Sequence, residues 1–251
     1  MLLPPPPRVE REERIDSAVL SEDEFAGTFT DMARINRFLG GTAATVRELA
    51  RMITALPGGG DRPVRILDVA TGGADVPRDV AAAARRGRFG GRAVSITAID
   101  NHAQTLALAR RWTPEAAWPE IRLESADLLH LPYPDGAFDI ALCSLALHHL
   151  GPQGGVAALR ELERVTCAGF LVNDLVRSRT NRFLAWLVTR VAFVDPISQH
   201  DAPVSVMRAF TPNEYSDMAK EAGIPDVVVR AVPMCRALLV RDRNRNGRRQ
   251  A

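Results

Sequence analysis

The sequence contains few cysteines and almost no lysine. Its three cysteines, Cys143, Cys167 and Cys235, lie among apolar residues without the paired spacing of a zinc site or a disulfide framework. We therefore expect buried thiols in a reducing compartment, and no metal site is predicted. Lys220 is the only lysine, so arginine carries nearly all of the positive charge.

The chain also lacks an excess of charge of either sign and a long apolar run. Its 32 Lys and Arg residues against 30 Asp and Glu leave a formal net charge of +2, which excludes a strong global attraction to nucleic acid or membrane. The most apolar long segment, residues 183–194, contains Arg190 and is too short to span a bilayer. Because the opening MLLPPPPRVE lacks the apolar region of a signal peptide, we predict a cytoplasmic protein.

What the sequence does contain is an alternation of short apolar runs and helical stretches. Its 251 residues, 46% of them hydrophobic, suffice for one α/β domain with a lid. Five runs are typical of parallel strands covered on both faces: VRILDVA, VSITAID, IRLESAD, FDIALCSL and GFLVNDL. Two later runs, DVVVRAV and CRALLVRD, would pair as an antiparallel ribbon. We predict a Rossmann-like α/β fold with a seven-stranded, mostly parallel sheet, N-terminal helices and a helical lid insertion.

Composition changes divide the chain into five segments. The polyproline opening cannot form a core and is either disordered or ordered only on contact, whereas SEDE and TPNE are capping boxes that begin helices. Within the lid, an apolar helix is predicted to precede an irregular stretch from residue 195. The segments are 1–60 as the disordered arm and N-terminal cap helices, 61–175 as the cofactor-binding core, 176–210 as the lid insertion, 211–242 as the final helix and strand pair, and 243–251 as a polar tail.

Carboxylates follow the first three predicted strands at the point where each strand ends. Asp68 begins a turn of small residues, Asp100 ends the second strand and Asp127 ends the third. Open α/β sheets bind ligands at the carboxyl ends of their strands, and a carboxylate there can accept hydrogen bonds from both hydroxyls of a ribose. Each feature alone is also compatible with a packing turn or a helix cap, but their combination favours a nucleotide site.

The order of these motifs carries a family resemblance. The succession LDVATGG, AID, SADLLHLPYPDGAFDIALCSLALHHL and FTPNEYSDMAKEAG resembles class I S-adenosylmethionine-dependent methyltransferases, especially small-molecule enzymes similar to quinone-pathway and polyketide-tailoring methyltransferases. It covers residues 65–174 and 210–240. The resemblance implies methyl transfer from S-adenosylmethionine to an oxygen or carbon of a small apolar or aromatic acceptor, such as a polyketide, phenol or quinone precursor. It implies neither a nucleic acid nor a membrane partner and is compatible with a homodimer.

The resemblance also implies which residues would meet the cofactor. Ala70 and Ala74 stand where the family usually has glycine, and we expect their methyl groups to require φ below zero. The implied contacts are Asp68, Ala70, Thr71, Gly72 and Gly73 with the methionine portion, Asp100 and its neighbour Asn101 with the ribose, Asp127 and Leu128 with the adenine, and Ser144 and Leu145 from the fourth strand.

Three histidines are candidates for a general base that removes the acceptor proton. His148 and His149 follow the fourth strand at the expected mouth of the acceptor site, and His200 lies beside Asp201 in the lid. Shaping a turn is the alternative role for the first pair, and simple surface polarity is the alternative for His200. The other candidates for acceptor contact are Arg208, Asn173, Asp174 and an apolar wall of Phe25, Phe38, Phe183, Trp186, Val191 and Phe193.

Other functions fit the sequence less well. A nicotinamide-dependent dehydrogenase normally shows GxGxxG and a separate substrate region, and neither is evident. A non-catalytic methyltransferase-like ligand-binding module is the main alternative, because Ala70 and Ala74 depart from the family pattern. RNA or protein methylation is disfavoured because no recognition domain or dense basic surface is apparent. The arginines at 85–92 are expected in solvent at the opposite end of the strands.

Overall fold

The computed structural model describes residues 4–17, 20–58, 62–192 and 195–244. The predictions for Phe193 and for the tail beyond residue 244 lie outside the described residues. Among these residues, seven strands form one sheet in the order β3-β2-β1-β4-β5-β7-β6. The strands are β1 (Val64–Val69), β2 (Val94–Asp100), β3 (Ile121–Ser125), β4 (Phe138–Ser144), β5 (Thr166–Leu175), β6 (Val228–Val232) and β7 (Arg236–Asp242).

The pairing of these strands confirms the predicted Rossmann-like fold. Strands β1 to β5 run parallel, and β7 joins β5 antiparallel with β6 outside it. The carboxyl ends of the parallel strands therefore meet at one edge of the sheet. The two long central strands β4 and β5 are buried along almost their whole length, as continuous apolar runs in a doubly covered sheet require.

Helices cover both faces of the sheet and build the region above its carboxyl edge. They are α1 (Arg14–Ser17), α2 (Glu22–Phe38), α3 (Gly41–Ala55), α4 (Asp75–Arg85), α5 (Ala103–Trp112), a single 3-10 turn (Leu147–His149), α6 (Pro152–Arg164), α7 (Arg179–Ala192), α8 (Pro196–Arg208) and α9 (Pro212–Glu221). One core cluster packs α6 and α9 on the sheet, and the other packs α3 and α4 on the opposite face. Within the described residues, none of the helices combines the length and apolarity needed to cross a bilayer.

Local capping signals fixed two helix starts, and a long-range contact fixed a third that was not predicted. Both capping boxes form, at Ser21–Glu24 before α2 and at Thr211–Glu214 before α9. The stretch predicted to be irregular is instead helix α8. Asp195 caps it by accepting from the Ile197 N–H at 3.0 Å, and its other carboxylate oxygen accepts from the Thr28 hydroxyl of α2 at 2.8 Å. This tertiary contact, together with Pro196 at the first helical position, overrides the breaking signal of Pro203.

Two expectations about burial, the apolar wall over the acceptor and the three buried thiols, hold only in part; of the wall, Phe25 is buried. Phe38 is 82% exposed and Val191 is 80% exposed, so they do not wall an acceptor site, and the exposed rings of Phe183 and Trp186 stack on each other instead. Helical spacing places apolar residues on one face without specifying which face meets the core. Among the cysteines, Cys143 is buried, whereas Cys167 is exposed.

The N-terminal segment, left open as disordered or ordered on contact, is ordered by contacts over residues 4–13, which we name the strap. Arg8 holds it: Nε donates to the Arg208 carbonyl at 2.6 Å and Nη2 to the Leu150 carbonyl at 2.7 Å. The guanidinium also lies 4.6 Å from the ring centroid of Phe210. Farther along, Val9 N–H donates to the backbone of α8. The strap therefore crosses the helical region above the carboxyl edge of the sheet.

We predict that Arg8→Ala releases the strap. The substitution leaves partly buried carbonyls without their donor, so the free energy of unfolding should fall by about 1 to 3 kcal/mol. Urea denaturation measures the loss, and limited proteolysis should cleave faster near the N-terminus. Arg11→Ala is the matched control because Arg11 is exposed and, within the described part of the chain, its side chain hydrogen-bonds the His200 ring at 3.2 Å and no other group. Equal stability and equal cleavage of the two variants would contradict the assignment of Arg8 as the anchor.

Candidate active site

A cavity of about 530 Å³ opens at the carboxyl ends of β1, β2 and β4. Its size is within the range of pockets that hold cofactors. Ten of the eleven residues predicted to contact a cofactor line it: Asp68, Ala70, Thr71, Gly72, Asp100, Asn101, Asp127, Leu128, Ser144 and Leu145. Gly73 is the exception. A side chain at Gly73 would come within 2.8 Å of the Trp112 ring, so this glycine serves close packing.

The turn after β1 has an unusual backbone. Ala70 has φ of 51° and Ala74 has φ of 55°, so the expectation of φ below zero for these alanines was wrong. For a residue with a Cβ, the left-handed conformation costs roughly 1 to 2 kcal/mol. The Thr71 N–H bonds the Ile99 carbonyl at 2.9 Å and the Ala74 N–H bonds the Thr71 carbonyl at 3.0 Å. The turn is therefore held in a strained shape that brings its backbone to the cavity.

Asp100 connects this turn to the end of β2. Its Oδ2 accepts from the Gly72 N–H at 3.1 Å, and its Oδ1 accepts from the His102 N–H at 2.9 Å. Burial raises the pKa of this carboxyl, and the two N–H groups oppose that rise. Asp100 is thus a preoriented acceptor at the cavity wall, in a position suited to hydroxyl donors.

Asp68 is a buried carboxyl group in the same wall. Among the described residues its Oδ1 has no hydrogen-bond partner, and burial raises the pKa of Asp68 to about 7. A buried polar atom without a partner is costly unless a ligand satisfies it. A cationic donor, such as the ammonium group of an amino acid, would supply both the hydrogen bond and the charge that favours the ionised form. The predicted cofactor therefore fits the residues present.

A polar cluster lies beside the cavity, where the turn after β4 meets the strap. The His148 Nδ1 is 2.7 Å from Asp174 Oδ1, and the other oxygen of Asp174 accepts from the His148 N–H at 3.2 Å. The His149 Nδ1 is 3.1 Å from Asp16 Oδ2. Glu13 Oε1 is 3.6 Å from His148 Nε2 and 3.9 Å from His149 Nε2. The two predicted histidines are therefore brought together with two carboxylates that the sequence did not single out.

The other predicted polar residues have different surroundings. His200 lines neither this cavity nor the one described next, and its Nδ1 contacts Asp201 at 2.7 Å. Asp201 caps α1 by accepting from its first two N–H groups. Arg208 lines the cavity and contacts Asp16 at 3.2 Å. The amide of Asn173 donates to the Gly41 carbonyl at 2.9 Å and so anchors α3 instead of facing the cavity.

A second, more apolar cavity of about 150 Å³ adjoins the first. Its lining includes Met32 and Ile35 of helix α2, Leu39 directly after that helix, and Leu184 and Val188 of helix α7. An engineered cavity of about this size holds one benzene ring. The residues that line both cavities are Glu13, Ile15, Met32, Leu145 and His149.

Comparison with solved structures defines the class of fold. An S-adenosylmethionine-dependent methyltransferase from Aquifex aeolicus matches with a TM-score of 0.56 and 15% identity, covering 88% of this chain and 97% of that one. The CMeT domain of citrinin polyketide synthase matches with a TM-score of 0.59 and 14% identity, covering 79% of this chain and 51% of that one. At these identities the likeness establishes architecture alone. The chain has the fold of the class I methyltransferases.

Sequence comparison identifies relatives of the central part of the chain. Residues 66–169 match the family described as Methyltransferase domain. The demethylmenaquinone methyltransferase of Thermus thermophilus is 37% identical over 107 residues, which are 43% of this chain and 44% of that relative. The aligned region thus spans less than half of the relative's length. Residues 66–169, which contain the strained turn, Asp100 and both clustered histidines, are the part of this chain that matches the methyltransferase family.

We predict that Asp68→Asn changes how stability depends on pH. The pKa of Asp68 is raised in the folded state, so its contribution to stability is fully present below about pH 4 and is lost as the pH rises through about 7. The neutral variant avoids this loss. Without ligand it should be more stable than the wild type at pH 8, by up to about 4 kcal/mol, with the difference vanishing toward pH 4.

Urea titrations at several pH values measure this difference. Asp23→Asn is the control, because Asp23 is an exposed carboxylate in the first turn of α2. A pH-independent difference between the Asp68 variant and the wild type would contradict the raised pKa.

Proposed function

We propose that this chain is an S-adenosylmethionine-dependent methyltransferase that acts on a small, mainly apolar acceptor. The observation that carries the proposal is the shared wall between a polar cavity at the strand ends and an apolar cavity beside it. Methyl transfer requires two ligands in contact and aligned. The adjoining cavities offer a place for each, and the methyltransferase domain supplies the family context.

S-adenosylmethionine supplies a methyl group already bonded to a good leaving group, the sulfonium. In the proposed complex Asp68 accepts from the amino group of the methionine portion, and Asp100 accepts from the ribose hydroxyls. Asp127 and Leu128 line the part of the cavity left for the adenine. Ser144 and Leu145 close it from β4. The carboxylates also balance the positive charge of the sulfonium and ammonium groups.

The second cavity favours an acceptor with a single aromatic ring or an apolar group of that size. Its lining is mostly aliphatic, and Glu13 and His149 stand where it meets the cofactor cavity. An acceptor hydroxyl or acidic carbon would therefore lie toward His149, with the apolar part between α2 and α7. This arrangement agrees with the similarity to a demethylmenaquinone methyltransferase and with the polyketide context of one structural neighbour.

The non-catalytic binding module is disfavoured. A module that only bound the cofactor would have no use for an adjoining apolar cavity or for titratable side chains at the junction. Of the three histidines, His148 and His149 would lie near the acceptor, whereas His200 lines neither cavity. A homodimer and a cytoplasmic location stay predictions from the sequence.

Ligand-dependent melting and turnover test this proposal. We expect S-adenosylmethionine and S-adenosylhomocysteine to raise the melting temperature, and NAD and NADP to leave it unchanged, because only a ligand that binds the native state stabilises it. Methyl-labelled cofactor should then label members of a panel of phenol, olivetol, naphthol and naphthohydroquinone, detected by mass spectrometry. Stabilisation by a nicotinamide cofactor alone would contradict the proposal. Tight cofactor binding without labelling of any acceptor would favour the binding module.

We predict that Asp100→Ala weakens binding of S-adenosylhomocysteine by about 10- to 100-fold, because each hydrogen bond to the charged carboxylate contributes about 1.5 to 3 kcal/mol. Isothermal titration calorimetry measures the affinity. Asp79→Asn is the control, since Asp79 pairs with Arg37 on α2 and lies outside the cavity. Circular dichroism must show that both variants fold. Unchanged affinity in a folded Asp100 variant would remove this residue from the site.

A further inference from the structure

We propose that Glu13, carried by the strap, is the catalytic base that takes the acceptor's proton during methyl transfer. This role rests on the proposed function, and Glu13 lies in the N-terminal arm, for which the sequence predicts no function. Glu13 and His149 are the titratable residues that line both cavities, within the described part of the chain. A base must lie within reach of the acceptor at the junction where the methyl group moves. Of these two residues, Glu13 is the more deeply buried.

The surroundings of Glu13 suit a carboxylate that accepts a proton near neutral pH. The residue is only 4% exposed, and burial raises the pKa of its carboxyl to about 7. Asp16 on α1 also raises it, whereas His149, the Ser205 hydroxyl and Arg208 on α8 lower it. A base whose pKa is near the working pH combines a large ionised fraction with strong proton affinity.

The neighbouring imidazoles provide a route for the proton to leave. Asp174 and Asp16 engage the Nδ1 atoms of His148 and His149, which assigns the hydrogen of each neutral ring to Nδ1. The Nε2 atoms are then acceptors, and both face Glu13 Oε1. The 3.9 Å between Glu13 Oε1 and His149 Nε2 is longer than a hydrogen bond, so a proton gained by Glu13 would pass through one bridging water to His149, whose ring is partly exposed, and from there to solvent.

The reaction balances with these groups. The acceptor's oxygen or carbon forms a bond to the methyl carbon, the S–CH₃ bond breaks, and its electron pair stays on sulfur as a neutral thioether. The acceptor's hydrogen goes to the Glu13 carboxylate as a proton. No oxidant, reductant or additional reactant is required.

The same three side chains, Glu13, His148 and His149, could also be considered as ligands of a divalent metal, because their donor atoms lie within 4.8 Å of one another. Two histidines and one carboxylate are a known ligand set. However, Arg208 Nη1 lies 3.8 Å from Glu13 Oε1 and 3.2 Å from Asp16 Oδ2. A permanent cation therefore already faces the carboxylates and would repel a dication. The geometry therefore favours proton transfer over metal binding, and the experiment below also tests for a bound metal.

The experiment compares wild type, Glu13→Gln, Glu13→Asp and Glu12→Gln with the panel acceptor that the wild type labels fastest. Glu12 is the matched control because it is the adjacent, exposed glutamate of the strap. Glu13→Gln should lower kcat by about 10²- to 10⁴-fold and leave S-adenosylhomocysteine affinity within about two-fold. Glu13→Asp should retain part of the rate, and Glu12→Gln should match the wild type.

Two pH measurements separate a base from a structural carboxyl. The wild-type kcat should rise to a plateau as the pH passes about 7, because the base must be ionised, and Glu13→Gln should lose this rise. In the protein without ligand, the raised pKa makes the wild type lose stability between about pH 4 and pH 7. Glu13→Gln should lose less stability over this pH range, and urea titration measures the difference without any acceptor.

The outcomes distinguish the proposals. Turnover by folded Glu13→Gln at the wild-type rate with an unchanged pH profile would overturn this inference and leave the proposed function intact. Loss of wild-type activity on chelation, restored by Zn²⁺ or Mn²⁺, would also overturn it in favour of a metal site. A wild-type protein that labels no panel acceptor would overturn the proposed function, and this inference with it.

Discussion

The buried hydrogen bond between Asp174 and His148 is the contact on which the arrangement of the site depends. Asp174 is the second-last residue of the almost fully buried β5 and accepts from the His148 ring, the His148 N–H and the Leu175 N–H. Burial alone would raise the pKa of Asp174, yet the facing His148 and these hydrogen bonds keep it low. An ionised carboxylate at this depth is tolerable only because its donors are fixed. The same contact therefore determines the conformation of the turn after β4.

The strap docks on this turn. Arg8 donates to the carbonyls of His148 and Leu150, and the Arg208 guanidinium donates to the carbonyl of His149. The turn thus presents its carbonyls to two arginines and its imidazoles to Glu13. The conformation of this turn therefore both holds the strap over the carboxyl edge of the sheet and completes the polar cluster. Breaking the Asp174 contact would disturb the polar cluster and these strap contacts together, although Val9 and Pro6 also tie the strap to α8 and to Arg177.

The sequence predicted those features that depend on neighbours in the chain. The strands, the two capping boxes and the carboxylates at the strand ends follow from short periodic patterns, and the structure has each of them. Helix α8 was not predicted and the order of the strap was left open, because their stabilising contacts are distant in sequence. Arg8 and Leu150 are 142 residues apart, and no local signal distinguishes Glu13 from a solvated charge in a run of mixed charges. The sequence also did not predict the left-handed conformation of Ala70 and Ala74. Hydrogen bonds around the turn impose this conformation although alanine disfavours it.

Strain and burial are concentrated at the same edge of the sheet. Ala70, Ala74 and Leu145 have positive φ, and Asp68 is a buried carboxyl with an unsatisfied oxygen. Each of these features destabilises the protein without ligand, and the well-packed sheet beneath must compensate. Under the proposed function the destabilisation has a use. A cationic ligand that satisfies Asp68 binds to a cavity whose backbone is already in the required shape, so little ordering remains to oppose binding. The neutral thioether product lacks the sulfonium charge, which weakens its attraction to the same carboxylates and assists its release relative to the cofactor.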